Sequence, residues 1–154
     1  MEKTQIISYQ ECALNELSHA DRLLIDAATQ ATATAYAPYS KFHVGAALRL
    51  DDSTVVRGSN QENVAYPSGL CAERTALFAA GAQFPGKTVE TLAVVARNSD
   101  GRLVQALPCG ACRQVMAEQE LRQQKKMRVL CYFSDAKILI FEGVETLLPF
   151  TFTF

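Results

Sequence analysis

Residues 71–96 read CAERTALFAAGAQFPGKTVETLAVVA, and two different periods follow one another inside them. Small and long aliphatic side chains fill residues 71–80, after the turn chemistry of Pro67-Ser68-Gly69 and before Gly81, which predicts a helix. Residues 91–96 form a short apolar run closed by Asn98-Ser99-Asp100-Gly101, which predicts a buried strand. The pair repeats downstream. Pro108 opens a predicted helix over 109–124, and strands are predicted over 129–133 and 138–141, joined by Ser134-Asp135-Ala136-Lys137. Upstream, Leu17, Leu24, Ala27, Ala28, Ala31 and Ala35 trace one helical stripe over 16–36, with Ser18 and Asp21 as the N-terminal signal and Pro38 as the stop. Residues 42–50 and 55–58 read as two strands of a hairpin across Asp51-Asp52-Ser53. Alternating helix and strand after residue 70 favours an α/β layered domain with a largely buried sheet.

No internal repeat, low-complexity tract or Pro/Gly/Ser-rich linker interrupts the 154 residues, so a single domain over 1–154 is expected. A hydrophobic share of 49% with 20% charged residues is that of a globular domain able to bury its own core. Fifteen basic and sixteen acidic residues give a net charge of −1, without the basic excess of a nucleic-acid binder. The N-terminus lacks the basic start and continuous apolar stretch of a signal peptide, and no run approaches the ~18 apolar residues of a membrane span. Five cysteines cannot all pair internally, and the spacing of three suggests a metal site in a reducing compartment. A cytoplasmic location is therefore expected. Cys12 falls in a segment expected to be mobile, and Cys131 in an apolar strand; both are read as inert thiols.

The chemistry concentrates in two phrases, Cys71-Ala72-Glu73-Arg74 and Pro108-Cys109-Gly110-Ala111-Cys112-Arg113-Gln114. A C-x-x-C at a helix start sets two sulfurs on the same side of the first turn. Zinc takes four ligands, and catalytic zinc keeps one place for water. Cys71, Cys109 and Cys112 cluster by pattern with no matching fourth ligand, so three sulfurs plus water is the expected count. Helix N-termini favour the thiolate at Cys71 and Cys109. Three thiolates around Zn²⁺ leave a formal charge of −1, which Arg74 is expected to offset by donating to a ligand sulfur, with Gln114 as a second donor. Glu73 alone would be an ordinary first-turn carboxylate; beside three clustered cysteines it is the candidate proton carrier.

The ordered pair C-A-E-R and P-C-G-A-C-R-Q resembles the signature of zinc nucleoside deaminases. From about residue 14 to residue 152 the chain resembles the small homotetrameric cytidine deaminases. Tyr39-Ser40-Lys41-Phe42-His43-Val44-Gly45-Ala46-Ala47 is similar to that family's first-strand motif, and Gly58-Ser59-Asn60-Gln61-Glu62-Asn63 to its ribose-binding phrase. The resemblance implies a three-layer α/β/α fold with a five-stranded mixed sheet, one Zn²⁺ per subunit, and hydrolysis of cytidine and 2′-deoxycytidine in pyrimidine salvage. It implies further that Glu73 moves protons, that Asn60 and Glu62 bond the ribose 3′-hydroxyl, that Phe42 packs on the pyrimidine, and that the Ala72 carbonyl accepts from the substrate amino group. The ending Leu147-Leu148-Pro149-Phe150-Thr151-Phe152 resembles the family's Leu-Leu-Pro-Gly-Ala-Phe, whose last aromatic enters a neighbouring subunit's site. By position that role belongs to Phe152, but Phe150 stands where the family has glycine, so either of the two aromatics fits it. Pro67-Ser68-Gly69-Leu70 departs from a more polar family stretch at one wall of the expected pocket.

Three other readings share parts of this pattern. A deaminase of drug-like aminopyrimidine nucleosides such as blasticidin S would use the same metal logic. A polynucleotide-editing deaminase would need a positively charged path for phosphates, for which only Arg122, Lys125, Lys126 and Arg128 cluster. A non-catalytic zinc module would need a fourth protein ligand.

Overall fold

A computed structural model describes all 154 residues. In chain order the elements are β1 (Gln10–Ala13), α1 (His19–Ala31), β2 (His43–Leu50), β3 (Val55–Ser59), α2 (Ala72–Gln83), β4 (Val89–Arg97), β5 (Leu103–Val104), α3 (Gly110–Gln123), β6 (Arg128–Tyr132) and β7 (Lys137–Glu142). One sheet runs β1-β7-β6-β4-β2-β3, with β5 beside the end of β4. Only β4 and β6 are parallel, as expected for two strands joined through a helix, so the sheet is mixed. It has seven strands rather than five. The five expected ones are β2, β3, β4, β6 and β7, and β1 and β5 are additions. β1 is a half-exposed edge strand of polar sequence, and β5 spans two residues, so neither carries an apolar run. Cys12 accordingly does not lie in a mobile tail. It pairs opposite Ile138 in the β1–β7 ladder.

Side chains alternate across the pleat, and both faces are covered. On one face α1 sets Leu24, Ile25 and Ala28 over Ala47, Ala93, Val95 and Leu130. On the other, α2 and α3 set Ala76, Leu77 and Met116 over Ala46, Leu48, Val94 and Val129. Each face needs one glycine. A Cβ on Gly45 in β2 would stand 2.0 Å from the Ala28 carbonyl oxygen, and one on Gly58 in β3 would stand 2.5 Å from the Ala76 amide nitrogen. Close approach of α1 and of α2 to the sheet therefore depends on those two absent side chains.

Ser18 Oγ accepts from the Asp21 amide at 3.1 Å and so caps α1. The helix ends at Ala31, well before Pro38. Thr32 and Thr34 turn their hydroxyls back onto the carbonyls of Thr29 and Ala31, and the chain tightens there into a 3-10 turn. α2 runs past Gly81 to Gln83, stopping ahead of Pro85. No helix is long and apolar enough to cross a membrane.

Candidate metal centre and cleft

Cys71 and Cys109 are the N-caps of α2 and α3, and Cys112 sits in the first turn of α3, fully buried. The layer of two helices thus brings two N-termini together. Cys71 Sγ lies 3.8 Å from Cys109 Sγ, which lies 3.5 Å from Cys112 Sγ, and all three sulfurs fall within 4.8 Å of one another. Sulfurs held at about 2.3 Å on the corners of a tetrahedron stand about 3.8 Å apart, so the donor set fits Zn²⁺ in both chemistry and spacing. No fourth Cys, His, Asp or Glu joins the cluster. Cys12 and Cys131 remain free thiols on β1 and β6.

Among the three thiols the protons are shared unevenly. Hydrogen bonding from Cys112, outweighing burial and helped by Arg74 and Cys109, brings the Cys71 thiol down to about 5. Cys112 is held up by the bond it gives to Cys71 and by its burial. Arg74 Nη2 donates to Cys71 Sγ at 3.6 Å, which sets a fixed positive charge beside the sulfurs, while its Nε is buried with no protein partner. Glu73 is 4% exposed. Burial pushes its carboxyl up to about 7, and the neighbouring Cys71 thiolate acts in the same sense.

Beside these groups lies a cleft of about 650 Å³, a size suited to a small molecule. Cys71, Glu73, Arg74 and Cys109 line it, together with Tyr39, Phe42, Asn60, Glu62, Tyr66 and Leu107 among others. Phe42 is 39% exposed, with its ring available to the cleft. The Asn60 amide is already engaged: Oδ1 accepts from the Val44 amide at 2.8 Å and Nδ2 donates to the Phe42 carbonyl at 2.9 Å. Glu62 Oε2 accepts from the Tyr39 amide at 2.9 Å, and Oε1 accepts from the Ser40 hydroxyl. The Ser40 hydroxyl bond, opposed by desolvation and joined by the two amides, holds the Glu62 carboxyl below its ordinary range. The divergent stretch forms a 3-10 turn, Tyr66–Ser68, followed by Gly69 and Leu70 on the cleft wall; Leu70 exchanges backbone bonds with Gln61.

Two expected roles are corrected by the geometry. Ala72 is fully buried and does not line the cleft. As the first residue of α2 its carbonyl points along the helix and lies against Gly58. Gln114 Nε2 donates to the Phe152 carbonyl at 3.1 Å and not to a sulfur. Two residues beyond Cys112 is about 200° around a helix, so residue 114 faces away from the centre. Phe150 and Phe152 are both exposed, and Phe152 packs edge-on against Phe154 at 5.4 Å. Sequence reasoning passed over Ser40 and Arg113. Arg113 donates to the carbonyls of Pro108 and Leu147 and so fixes the entry to α3. Both residues stand inside motifs already singled out, which was the available signal.

Comparison with known proteins gives one answer. Residues 18–130 match the cytidine and deoxycytidylate deaminase zinc-binding region. A cytidine deaminase of Halalkalibacterium halodurans is 53% identical over 97 residues, 63% of this chain and 70% of that one. A cytidine deaminase of Mycobacterium tuberculosis is 46% identical over 91 residues, 59% of this chain and 65% of that one. The crystal structure of a cytidine deaminase from Burkholderia pseudomallei superposes with a TM-score of 0.73 at 40% identity, covering 88% of this chain and 100% of that chain.

Proposed function

Since this chain belongs to the cytidine and deoxycytidylate deaminase zinc-binding family, we propose that it hydrolyses cytidine and 2′-deoxycytidine to uridine and 2′-deoxyuridine, releasing ammonia, as a step of pyrimidine salvage. The observation that carries the reading is the cluster of three sulfurs with a buried carboxylic acid beside them, Cys71, Cys109 and Glu73 lining one cleft. A zinc ion held there supplies Lewis acidity, which brings the pKa of water from 15.7 toward roughly 7.

The chain's own residues do the rest. Glu73, whose carboxyl sits near neutrality, accepts a proton from the attacking water and delivers it to ring N3, then carries a proton to the departing amine. Oxygen bonds to C4, the C4–N bond breaks, and the carboxylate ends as it began. Arg74 offsets the charge of the sulfurs through its bond to Cys71. Phe42 packs on the pyrimidine, while Asn60 and Glu62 use their remaining hydrogen-bonding capacity on the ribose 3′-hydroxyl. We place the protein in the cytoplasm as a single-domain homotetramer in which Phe152 or Phe150 of one subunit reaches a neighbour's site; the exposure of both rings supports this.

The rivals fit less well. The basic cluster offers no continuous path for phosphates, because Lys125 pairs with Glu90, Lys126 with Glu145, and Arg128 with Asp21 and Glu142, which leaves Arg122 as its one cation outside an ion pair. A zinc module without catalysis lacks its fourth ligand. Relative rates on cytidine, deoxycytidine and blasticidin S separate the remaining pair. The deciding experiment follows the absorbance change of cytidine conversion before and after zinc is stripped with a chelator, with metal content measured alongside. Activity should vanish with the metal and return with added Zn²⁺. Equal turnover by protein verified to be free of zinc would overturn the reading.

A further inference from the structure

Phe42 and the ribose-facing pair Asn60 and Glu62 are not independent walls of the cleft. The Phe42 carbonyl accepts from Asn60 Nδ2 at 2.9 Å, and the Phe42 amide donates to Ser40 Oγ at 3.1 Å. The same Ser40 hydroxyl donates onward to Glu62 Oε1. Between Ser40 and Phe42 stands Lys41 at φ 56°, a left-handed conformation that a side chain with Cβ disfavours. Such a residue persists when its surroundings over-determine it, and here the Ser40 hydroxyl spans it, accepting from the residue after and anchored to the carboxylate opposite. The Glu62 carboxylate is oriented from both sides. The Tyr39 amide fixes Oε2 and the Ser40 hydroxyl fixes Oε1, while the Ser40 amide lies 3.3 Å from each oxygen. One acceptor site of an ionised carboxylate then remains for a ligand hydroxyl.

We propose that Ser40 is a positioning residue for the reaction: its hydroxyl aims the Glu62 carboxylate at the sugar and, through the same oxygen, sets the backbone from which the Phe42 ring meets the base. The inference rests on the nucleoside reading of the cleft. It couples two walls of the pocket, because the same Ser40 oxygen bonds the Glu62 carboxylate and the Phe42 backbone. Ser40 itself touches neither the base nor the reacting carbon.

Steady-state kinetics of wild type, Ser40→Ala and Ser40→Thr on cytidine and on 3′-deoxycytidine test this, with Tm measured for each variant. Loss of one hydrogen bond to a charged group predicts that Ser40→Ala raises KM for cytidine about tenfold. kcat should change by no more than about twofold, because Glu73 and the sulfurs are untouched. For the 3′-deoxy substrate, which has no hydroxyl for Glu62 to hold, KM should rise by about threefold or less. Ser40→Thr, which keeps the hydroxyl, should restore cytidine binding. Equal increases on the two substrates, no increase on either, or failure of Thr to restore KM at unchanged Tm would each overturn the role. Wild-type protein inactive on both nucleosides would instead remove the functional reading on which the role is built.

Discussion

Asp21 and Glu73 are nearly the same residue in two places. Each stands in the first turn of a helix packed on the central sheet, α1 on one face and α2 on the other, and each is 4% exposed. Their protonation goes opposite ways. Burial works to raise the Asp21 carboxyl, but Arg128 at 3.0 Å and Arg49 at 3.1 Å outweigh it and hold the group below the usual carboxylate range. Burial also raises Glu73, and there nothing outweighs it: the adjacent Arg74 gives its Nη2 to Cys71, and the Cys71 thiolate adds to the rise. Depth alone therefore distinguishes neither group. What separates a structural carboxylate from a proton-handling one is whether the cations around it are committed to it or to something else.

The largest consequence falls on Glu73. Glu73→Gln keeps the side chain's volume and removes only its ability to carry a proton. Turnover on cytidine should fall by ~10²–10⁴-fold. Zinc content and Tm should stay at the wild-type level, because no partner is left with an unpaired charge. Retained turnover in this variant would erase the difference between the two acids and with it the proton-carrier role.

Much of the frame that carries these two acids is legible in the sequence, because it depends on pattern. Apolar runs marked β2, β4, β6 and β7, and the spacing of Cys71, Cys109 and Cys112 placed the sulfurs at two helix starts. What escaped was set by partners that pattern does not reveal. β1 is polar and owes its existence to the open edge of β7. α1 stops at Ala31 because threonine hydroxyls return to its last carbonyls. The resemblance implies that Asn60 and Glu62 bond the ribose 3′-hydroxyl, but it does not reveal how much of their capacity is spent on residues 39–44. Ala72 and Gln114 failed for direction: a helical carbonyl follows the axis, and a residue two places from a ligand lies on the opposite side.

The paired glycines extend the comparison from charge to packing. Gly45→Ala and Gly58→Ala each force a methyl group into helix backbone, at 2.0 Å from the Ala28 carbonyl oxygen and 2.5 Å from the Ala76 amide nitrogen respectively. Overpacking of this kind costs about 1–3 kcal/mol, so both variants should lose Tm. Only Gly58 lies under the helix whose N-terminus carries Cys71 and Glu73. Displacing α2 moves the proton carrier against the sulfurs of α3, and a small misplacement of a reacting group is expensive. Gly58→Ala should therefore lose kcat well beyond its loss of folded protein, whereas Gly45→Ala should keep its specific activity per folded molecule. Equal losses of kcat would show that the two faces are mechanically coupled and that the division drawn from the acids is too sharp.

The smallest expected effect belongs to Asp21. Asp21→Asn leaves Arg49 and Arg128 without their shared carboxylate, and partial solvent access to both guanidinium groups limits the cost to about 1–2 kcal/mol at neutral pH. Turnover should not change, since the ion group lies on the face away from the cleft. The folded-state value of Asp21 is lowered, so between it and the unfolded value of about 3.9 the unfolded chain binds more protons than the folded one. The stabilisation is complete above that unfolded value and is lost as pH falls through the folded one. Urea titrations of wild type and Asp21→Asn should therefore run apart by a constant difference at pH 6–8, on the order of that 1–2 kcal/mol, and converge only below about pH 4. Convergence on the alkaline side instead would mean that Asp21 is held protonated in the folded chain, and the two buried acids would then behave alike.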